Sequence, residues 1–253
     1  KGYGEICYRN TKASGVIPQL SIILGPCAGS IVYSPAITDF IFMVNNISEM
    51  FLTGPEVIAT VTGEKTTTNG LGGSHVHGNI SGVAQFVSQN EEECFQQVRE
   101  LISYIPSNNL EDPPLYEIED NLPLISEELE RIIPINPSKS YDIRQIIEEI
   151  VDFGKYLEVS TEYAGNIVTC FARLNGRSIG IIGNQPKNLA GCLDMNSSNK
   201  ASRFIRFCDA FNIPIITLVD TPGYIPSIYQ EHGSIIRHGA KLFYAYSEAT
   251  VPK

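Results

Sequence analysis

The 253-residue sequence has no apolar run long enough to cross a bilayer. Its longest, 20–24 with a single serine and 213–219, fall far short of the roughly 20 residues a membrane helix needs. It also lacks a basic surplus. Lysines and arginines number 18 against 28 aspartates and glutamates, a net charge of −10. That balance excludes nucleic acid as a main partner, because phosphate binding needs a cationic surface. The first ten residues carry neither a secretory apolar core nor an Arg-rich transit pattern. Cys7, Cys27, Cys94, Cys170, Cys192 and Cys208 are scattered with no metal-ligand spacing, and a chain of this length needs no covalent staples. They read as reduced thiols of a reducing compartment, mostly buried as small hydrophobic groups. There is no initiating methionine, and the ends, Gly2-Tyr3-Gly4 and Thr250-Val251-Pro252-Lys253, are those expected of a fragment.

Several chemical signatures are missing as well. Asp220-Thr221-Pro222-Gly223 superficially resembles a nucleotide switch, but no phosphate loop ending in Gly-Lys-Ser/Thr accompanies it, so a GTPase is excluded. No Gly-x-Ser-x-Gly elbow surrounds Ser34 or Ser81, so a serine hydrolase is not supported. His75 and His77 stand two apart with no metal-binding Glu-His pattern, and no metal is expected. A histidine there is expected to order a loop or touch phosphate rather than act as a base.

What is present is an alternation of strand and helix signals. Residues 16–24 form a β-branched apolar run that predicts a buried strand. It ends at Gly25-Pro26, and a small-residue loop, Cys27-Ala28-Gly29-Ser30, leads to a helix with Ser34 as cap and Pro35 in its first turn. A strand at 40–44 and a helix from Gly54-Pro55 follow. Residues 91–104 predict a surface helix, with Phe95, Val98, Leu101 and Ile102 at helical spacing. Prolines 106, 113, 114, 123, 134 and 137 then break up an acidic stretch into an expected linker, partly helical near 126–131. Beyond it a helix at 141–151 precedes strands at 166–173 and 178–183, whose Asn175-Gly176 link favours a hairpin. A helix over 196–211 and a strand over 215–219 complete an α/β pattern with mixed sheets. The strands at 17–24 and 213–219 both begin with Ile-Pro and both run into a Gly/Pro loop, a shared plan consistent with two related domains.

The Gly25–Ser30 loop has the composition to turn backbone N–H groups towards an oxyanion, with small side chains that admit a substrate. The same composition also suits a plain strand-to-helix turn. The small-residue stretch from Leu71-Gly72-Gly73 through Ser81-Gly82 is a second candidate.

Longer strings carry a resemblance. Gly25-Pro26-Cys27-Ala28-Gly29, Tyr33-Ser34-Pro35-Ala36-Ile37-Thr38-Asp39-Phe40, Phe51-Leu52-Thr53-Gly54-Pro55-Glu56 and Leu71-Gly72-Gly73 with His77 resemble the N-domain of biotin-dependent acyl-CoA carboxyltransferases. Asn184-Gln185-Pro186, Ala190-Gly191-Cys192-Leu193-Asp194, Asp220-Thr221-Pro222-Gly223-Tyr224 and Ile235-Ile236-Arg237-His238-Gly239 resemble their C-domain. The resemblance covers nearly the whole chain and points to the propionyl-CoA carboxylase β, methylmalonyl-CoA decarboxylase α and transcarboxylase large subunits. It implies two crotonase-like α/β domains with mixed β-sheets and surrounding helices, both incomplete here. Their expected bounds are 1–122 for an N-type domain, 123–140 for a linker and 141–253 for a C-type domain.

The same resemblance implies the chemistry. A backbone N–H of Gly29 or Ser30 would hold the acyl-enolate oxygen, and one at Gly223 or Tyr224 the ureido oxygen of biotin. Ala28, Tyr33, Gly72, Gly73, His77, Pro222 and Ile225 would contact substrate. Carboxybiotin and a coenzyme A thioester are the implied reactants, so no side-chain nucleophile is required. Implied partners are a biotin carboxyl carrier protein or domain, a biotin carboxylase subunit, and further copies of the chain in a dimer or hexamer. Propionyl-CoA or methylmalonyl-CoA is the expected acyl group, and the expected setting is the cytoplasm or, alternatively, the mitochondrial matrix. The family usually has a glycine where Ser30 stands. It also takes a second donor for each oxyanion from loops outside 1–253, so a non-catalytic scaffold stands as an alternative expectation; a decarboxylase subunit feeding a membrane sodium pump, of the same fold class, is another.

Overall fold

The structure, a computed structural model, describes residues 2–117, 129–136 and 139–253, which divide into two compact units. The first holds the residues up to Ile102, with Ser107–Asn109 and Ser160–Tyr163; the second holds Ser103–Pro106, Leu110–Val159 and Ala164–Lys253.

The first unit runs α1 (Gly2–Ala13), β1 (Leu20–Ile23), β2 (Pro26–Ala28), α2 (Tyr33–Ile37), β3 (Phe40–Val44) and β4 (Glu49–Phe51). It continues with α3 (Pro55–Thr62), α4 (Thr68–Gly72), a π-helical turn at Val76–Ile80, β5 (Phe86–Ser88) and α5 (Glu91–Ile102). Strands β1, β3 and β5 form one parallel sheet with β3 central, and β2 pairs with β4 in a second parallel ladder. All five residues of β3 are buried, as expected of a strand covered on both faces. Ile41 and Met43 pack with Ile23, Met50 and Ala84, while Phe42 stacks on Phe86 at 4.5 Å.

The second unit contains α6 (Leu129–Ile132), α7 (Ile143–Ile150), β6 (Tyr156–Val159), β7 (Ile167–Leu174) and β8 (Arg177–Asn184). Then come α8 (Met195–Ala210), β9 (Ile215–Leu218), α9 (Ile228–His232) and α10 (Ile235–Glu248). Its sheet has the order β6-β7-β8-β9 and is mixed: β6, β7 and β8 are antiparallel, whereas β9 lies parallel to β8. Side chains of β7 alternate between two covered faces. Val168, Cys170 and Ala172 meet Ile143 and Ile147 of α7; Phe171 meets Phe204 and Phe207 of α8 at 4.9 and 5.8 Å. Gly180 stands opposite Phe171 and leaves room for Phe204, since a Cβ there would lie 3.0 Å from that ring.

The expected hairpin turn is present, with Asn175 and Gly176 both at positive φ, 50° and 74°. The carboxylate of Asp152 accepts both their N–H groups, at 2.8 and 2.7 Å. Helix α8 starts on a capping box: the Ser197 N–H donates to the Asp194 carboxylate at 2.7 Å, and the Asp194 N–H donates to the Ser197 hydroxyl at 2.8 Å.

The structure corrects several expected elements. The strand predicted over 16–24 begins only at Leu20, because Pro18 has no N–H for a ladder and the Val16 and Ile17 N–H groups turn back to the Ala13 carbonyl. The small-residue loop contains a strand, β2, at Pro26–Ala28. Ser34 caps nothing: α2 begins one residue earlier, and the Ser34 hydroxyl donates to Asn10 at 3.0 Å. In α5 the buried residues are Cys94 and Leu101, while Phe95 and Ile102 are exposed. Tyr229 and His232 lie in α9. Three of the six cysteines are buried and the other three partly exposed. Within the proline-rich stretch, 118–128 and 137–138 lie outside the described residues; of the stretch expected to be helical near 126–131, the described residues 129–131 fall in α6. No described helix is long and apolar enough to cross a membrane.

Lys200 of α8 is buried, and its Nζ donates to the Ile167 carbonyl at 2.9 Å. Burial pulls its pKa down to about 8, with Glu158 raising it and Arg144 lowering it. The unfolded value is about 10.4, so between roughly pH 8 and 10.4 the unfolded state binds more protons and this group favours the fold increasingly as pH rises. Comparing urea unfolding of wild type and K200M isolates the term. From pH 7.5 to 9.5 the difference should move in favour of wild type by on the order of 1 kcal/mol.

Candidate active site

The first candidate loop grows out of β2. In its ladder Cys27 stands opposite Met50 and Ala28 opposite Phe51. The chain then turns into a short 3-10 helix, Gly29–Val32. Gly29 has φ +77°, a region glycine enters without steric cost, and a Cβ there would meet nothing within 4 Å. Opening N–H groups of such a helix have no acceptor within it, and Ser30, which supplies one of them, is exposed. Ala28 and Tyr33 flank it and are exposed too.

Gly72, Gly73 and His77 support this loop from behind β4. A Cβ on Gly72 would lie 1.9 Å from the Met50 carbonyl oxygen, so only glycine permits the approach. Gly73 forms an antiparallel bridge with Glu49. The His77 Nε2 contacts the Met50 carbonyl at 2.6 Å and Nδ1 contacts the Ser81 hydroxyl at 2.8 Å. A carbonyl only accepts, so Nε2 carries a proton, and in the neutral ring Nδ1 accepts the Ser81 hydroxyl hydrogen. Both ring nitrogens are engaged inside the protein, and His77 acts on the loop through β4. A hollow of about 480 Å³ opens beside the same strand, lined by Phe51, Pro55, Val57, Thr66 and Thr67 among others.

The second candidate loop follows β9. Leu193 and Tyr224 form a parallel bridge: the Leu193 N–H donates to the Gly223 carbonyl, and the Ile225 N–H donates to the Leu193 carbonyl, each at 2.9 Å. That pattern turns the Tyr224 N–H to the opposite side. The Gly223 N–H donates to the Thr221 hydroxyl at 3.1 Å. Of the two amides named from sequence, Tyr224 therefore keeps the outward-facing one. Gly223 has φ +126°, accessible only to glycine, and no atom approaches the place of its absent Cβ within 4 Å. The Tyr224 ring rests on α10, where a Cβ on Gly239 would lie 2.9 Å from its hydroxyl. At the start of the loop the Tyr141 hydroxyl donates to Asp220 at 2.8 Å. Burial, and then that carboxylate, push the Tyr141 pKa up to about 12. Pro222 is exposed and Ile225 half-buried.

Sequence reasoning missed the residues that hold these loops. Thr221 and Asn184 lie inside quoted strings but received no role, because their partners are backbone groups that spacing cannot reveal. Met50 and Phe51 were likewise invisible as the ladder partners of Cys27 and Ala28.

A model of the carboxyl transferase domain matches residues 1–253. The chain belongs to that family. It is 58% identical over 252 residues to the methylmalonyl-CoA decarboxylase α subunit of Veillonella parvula, covering 100% of this chain and 50% of the relative. It is 55% identical over 251 residues to the propionyl-CoA carboxylase carboxyltransferase subunit of Haloferax mediterranei, covering 99% and 49%. A crystal structure of transcarboxylase 12S, with hydrolysed methylmalonyl-coenzyme A bound, superposes with a TM-score of 0.97 at 52% identity, over 100% of this chain and 49% of that one. The chain thus spans about half the length of the curated relatives it matches. The expected crotonase-like α/β class with mixed sheets is the fold observed.

The glycine geometry separates two kinds of position. G72A places a methyl group on a backbone carbonyl, whereas G29A adds one in open space at a strained φ. Thermal unfolding should show G72A destabilised by more than about 2 kcal/mol and G29A by about 1 kcal/mol.

Proposed function

We propose that the protein moves a carboxyl group between biotin on a carrier protein and a short acyl-CoA, with propionyl-CoA and methylmalonyl-CoA as the acyl pair. The observation that carries this reading is identity of 52–58% along the whole chain to propionyl-CoA carboxylase, methylmalonyl-CoA decarboxylase and transcarboxylase subunits. The site geometry supports it. Among the described residues no thiol or hydroxyl of either loop pairs with a histidine or carboxylate, and the Tyr224 N–H and that of the exposed Ser30 remain as main-chain donors, which suits chemistry whose developing charge sits on oxygen. In this reading a backbone N–H of Gly29 or Ser30 holds the acyl-enolate oxygen, Tyr224 holds the ureido oxygen, and the hollow beside Phe51 receives part of the thioester. Carboxybiotin supplies the carboxyl group. The N-type and C-type domains, the biotin carboxylase and carrier partners, a dimer or hexamer, and a cytoplasmic or mitochondrial-matrix setting belong to the same proposal.

A decarboxylase subunit is a second reading, favoured by 58% identity to two such α subunits. Both readings require the same exchange. The full-length protein, given a biotinylated carrier and methylmalonyl-CoA labelled in its free carboxyl group, should transfer label to the carrier, and avidin should abolish the transfer. Absence of exchange with every acyl-CoA from acetyl to butyryl, in folded protein, would overturn the proposal.

A further inference from the structure

Leu189, Ala190 and Gly191 have φ of 52°, 52° and 72°, a complete turn of left-handed backbone in which two of three residues carry a Cβ. A non-glycine residue enters this region at a cost of roughly 1–2 kcal/mol, and it stays there only where the surroundings over-determine it. The surroundings do so here. Asn166 Nδ2 donates to the Cys192 carbonyl at 2.7 Å. Asn184, buried at the end of β8, reaches two segments at once: its Nδ2 donates to the Gly191 carbonyl at 3.1 Å, and its Oδ1 accepts the Asp220 N–H at 3.3 Å. Gly191 then fits against the Asp220 carbonyl so closely that a Cβ would lie 2.4 Å from it. Two residues further on, Leu193 makes the bridge that turns the Tyr224 N–H outward.

We propose that Asn184 and the left-handed turn at Leu189–Gly191 are positioning residues that aim the Tyr224 N–H at the reacting ureido group. The inference rests on the functional reading above. Asn184 locks the turn to the head of the 220–225 loop, and the turn fixes where Leu193 emerges. The Gly223 and Ile225 groups paired with Leu193 follow, and the Tyr224 amide has one direction left. The Ala190 side chain is exposed, so its identity matters through φ alone.

The test uses the full-length protein and carboxyl exchange between methylmalonyl-CoA and free biotin. A190V opposes the left-handed conformation without meeting buried atoms, whereas A190G favours it. Losing an aimed oxyanion donor lowers kcat by roughly 100-fold, so a misdirected one should lower it about ten-fold or more. A190V should therefore show that fall with KM for methylmalonyl-CoA unchanged, and A190G should stay near wild type. Should A190V fail to fold by circular dichroism, N184S, which keeps a hydroxyl too short to reach both segments, is expected to show the same split. Wild-type kcat in the folded variants, an equal fall in A190G, or kcat and KM for methylmalonyl-CoA moving together would overturn the positioning role. Wild type without exchange would overturn the functional reading and this inference with it, a result distinct from active wild type with unaffected variants.

Discussion

Contact between a backbone carbonyl and a glycine α-carbon is the constraint on which both loops depend. The Met50 oxygen meets Gly72, and the Asp220 oxygen meets Gly191, at places where a Cβ would lie 1.9 and 2.4 Å away. The first contact brings a second segment against β4, the ladder partner of the strand that launches one candidate loop, and the second brings one against the head of the other loop. At Met50 the contact is reinforced by His77, which holds the same carbonyl from the side. At Asp220 it is reinforced by Asn184. Main-chain donors cannot be aimed by rotating a side chain, so their direction has to come from packing of this kind.

The two units reach this result by different routes. The first uses a short parallel ladder, β2 with β4, and stacks helical turns behind it. The second uses a long buried hairpin, closed by Asp152, as a platform from which β8 and β9 deliver their loops in parallel. The hairpin is covered by α7 on one face and the aromatic cluster of α8 on the other. Its rigidity is the condition under which a side chain as small as Asn184 can fix two loops at once.

Much of the fold was legible in sequence because its signals are local. The Asn175-Gly176 turn between β7 and β8 and the proline at the start of α3 each report a conformation from a few neighbouring residues. Pro26–Ala28 gave no such signal: two small residues behind a proline read as a turn, and only pairing with Glu49–Phe51, more than twenty residues away, makes them a strand. Ser34 read as a cap because its type suits one, yet Asn10 claims its hydroxyl. The glycines of the candidate loops were visible as residues but not as contacts. Gly29 and Gly223 are free of neighbours and set φ, while Gly72 and Gly191 are pressed against carbonyls. Composition alone cannot distinguish the two. The left-handed turn at Leu189 and Ala190 was silent altogether, since neither residue type favours it.

The hairpin turn also bears on how the protein ages. Asn-Gly is the pair at which an asparagine amide cyclises most readily onto the next backbone nitrogen, leaving aspartate or isoaspartate behind. At Asn175 that nitrogen is held by Asp152 at 2.7 Å, and at the chain's other such pair, Asn69-Gly70, it is held by the Thr67 hydroxyl at 3.0 Å. The Gly176 nitrogen is buried on Asp152 for as long as the hairpin persists, whereas Asn69-Gly70 lies exposed at the start of a five-residue helix. Deamidation at Asn175 thus becomes a marker of chains that have opened, and its rate a clock for unfolding rather than for time.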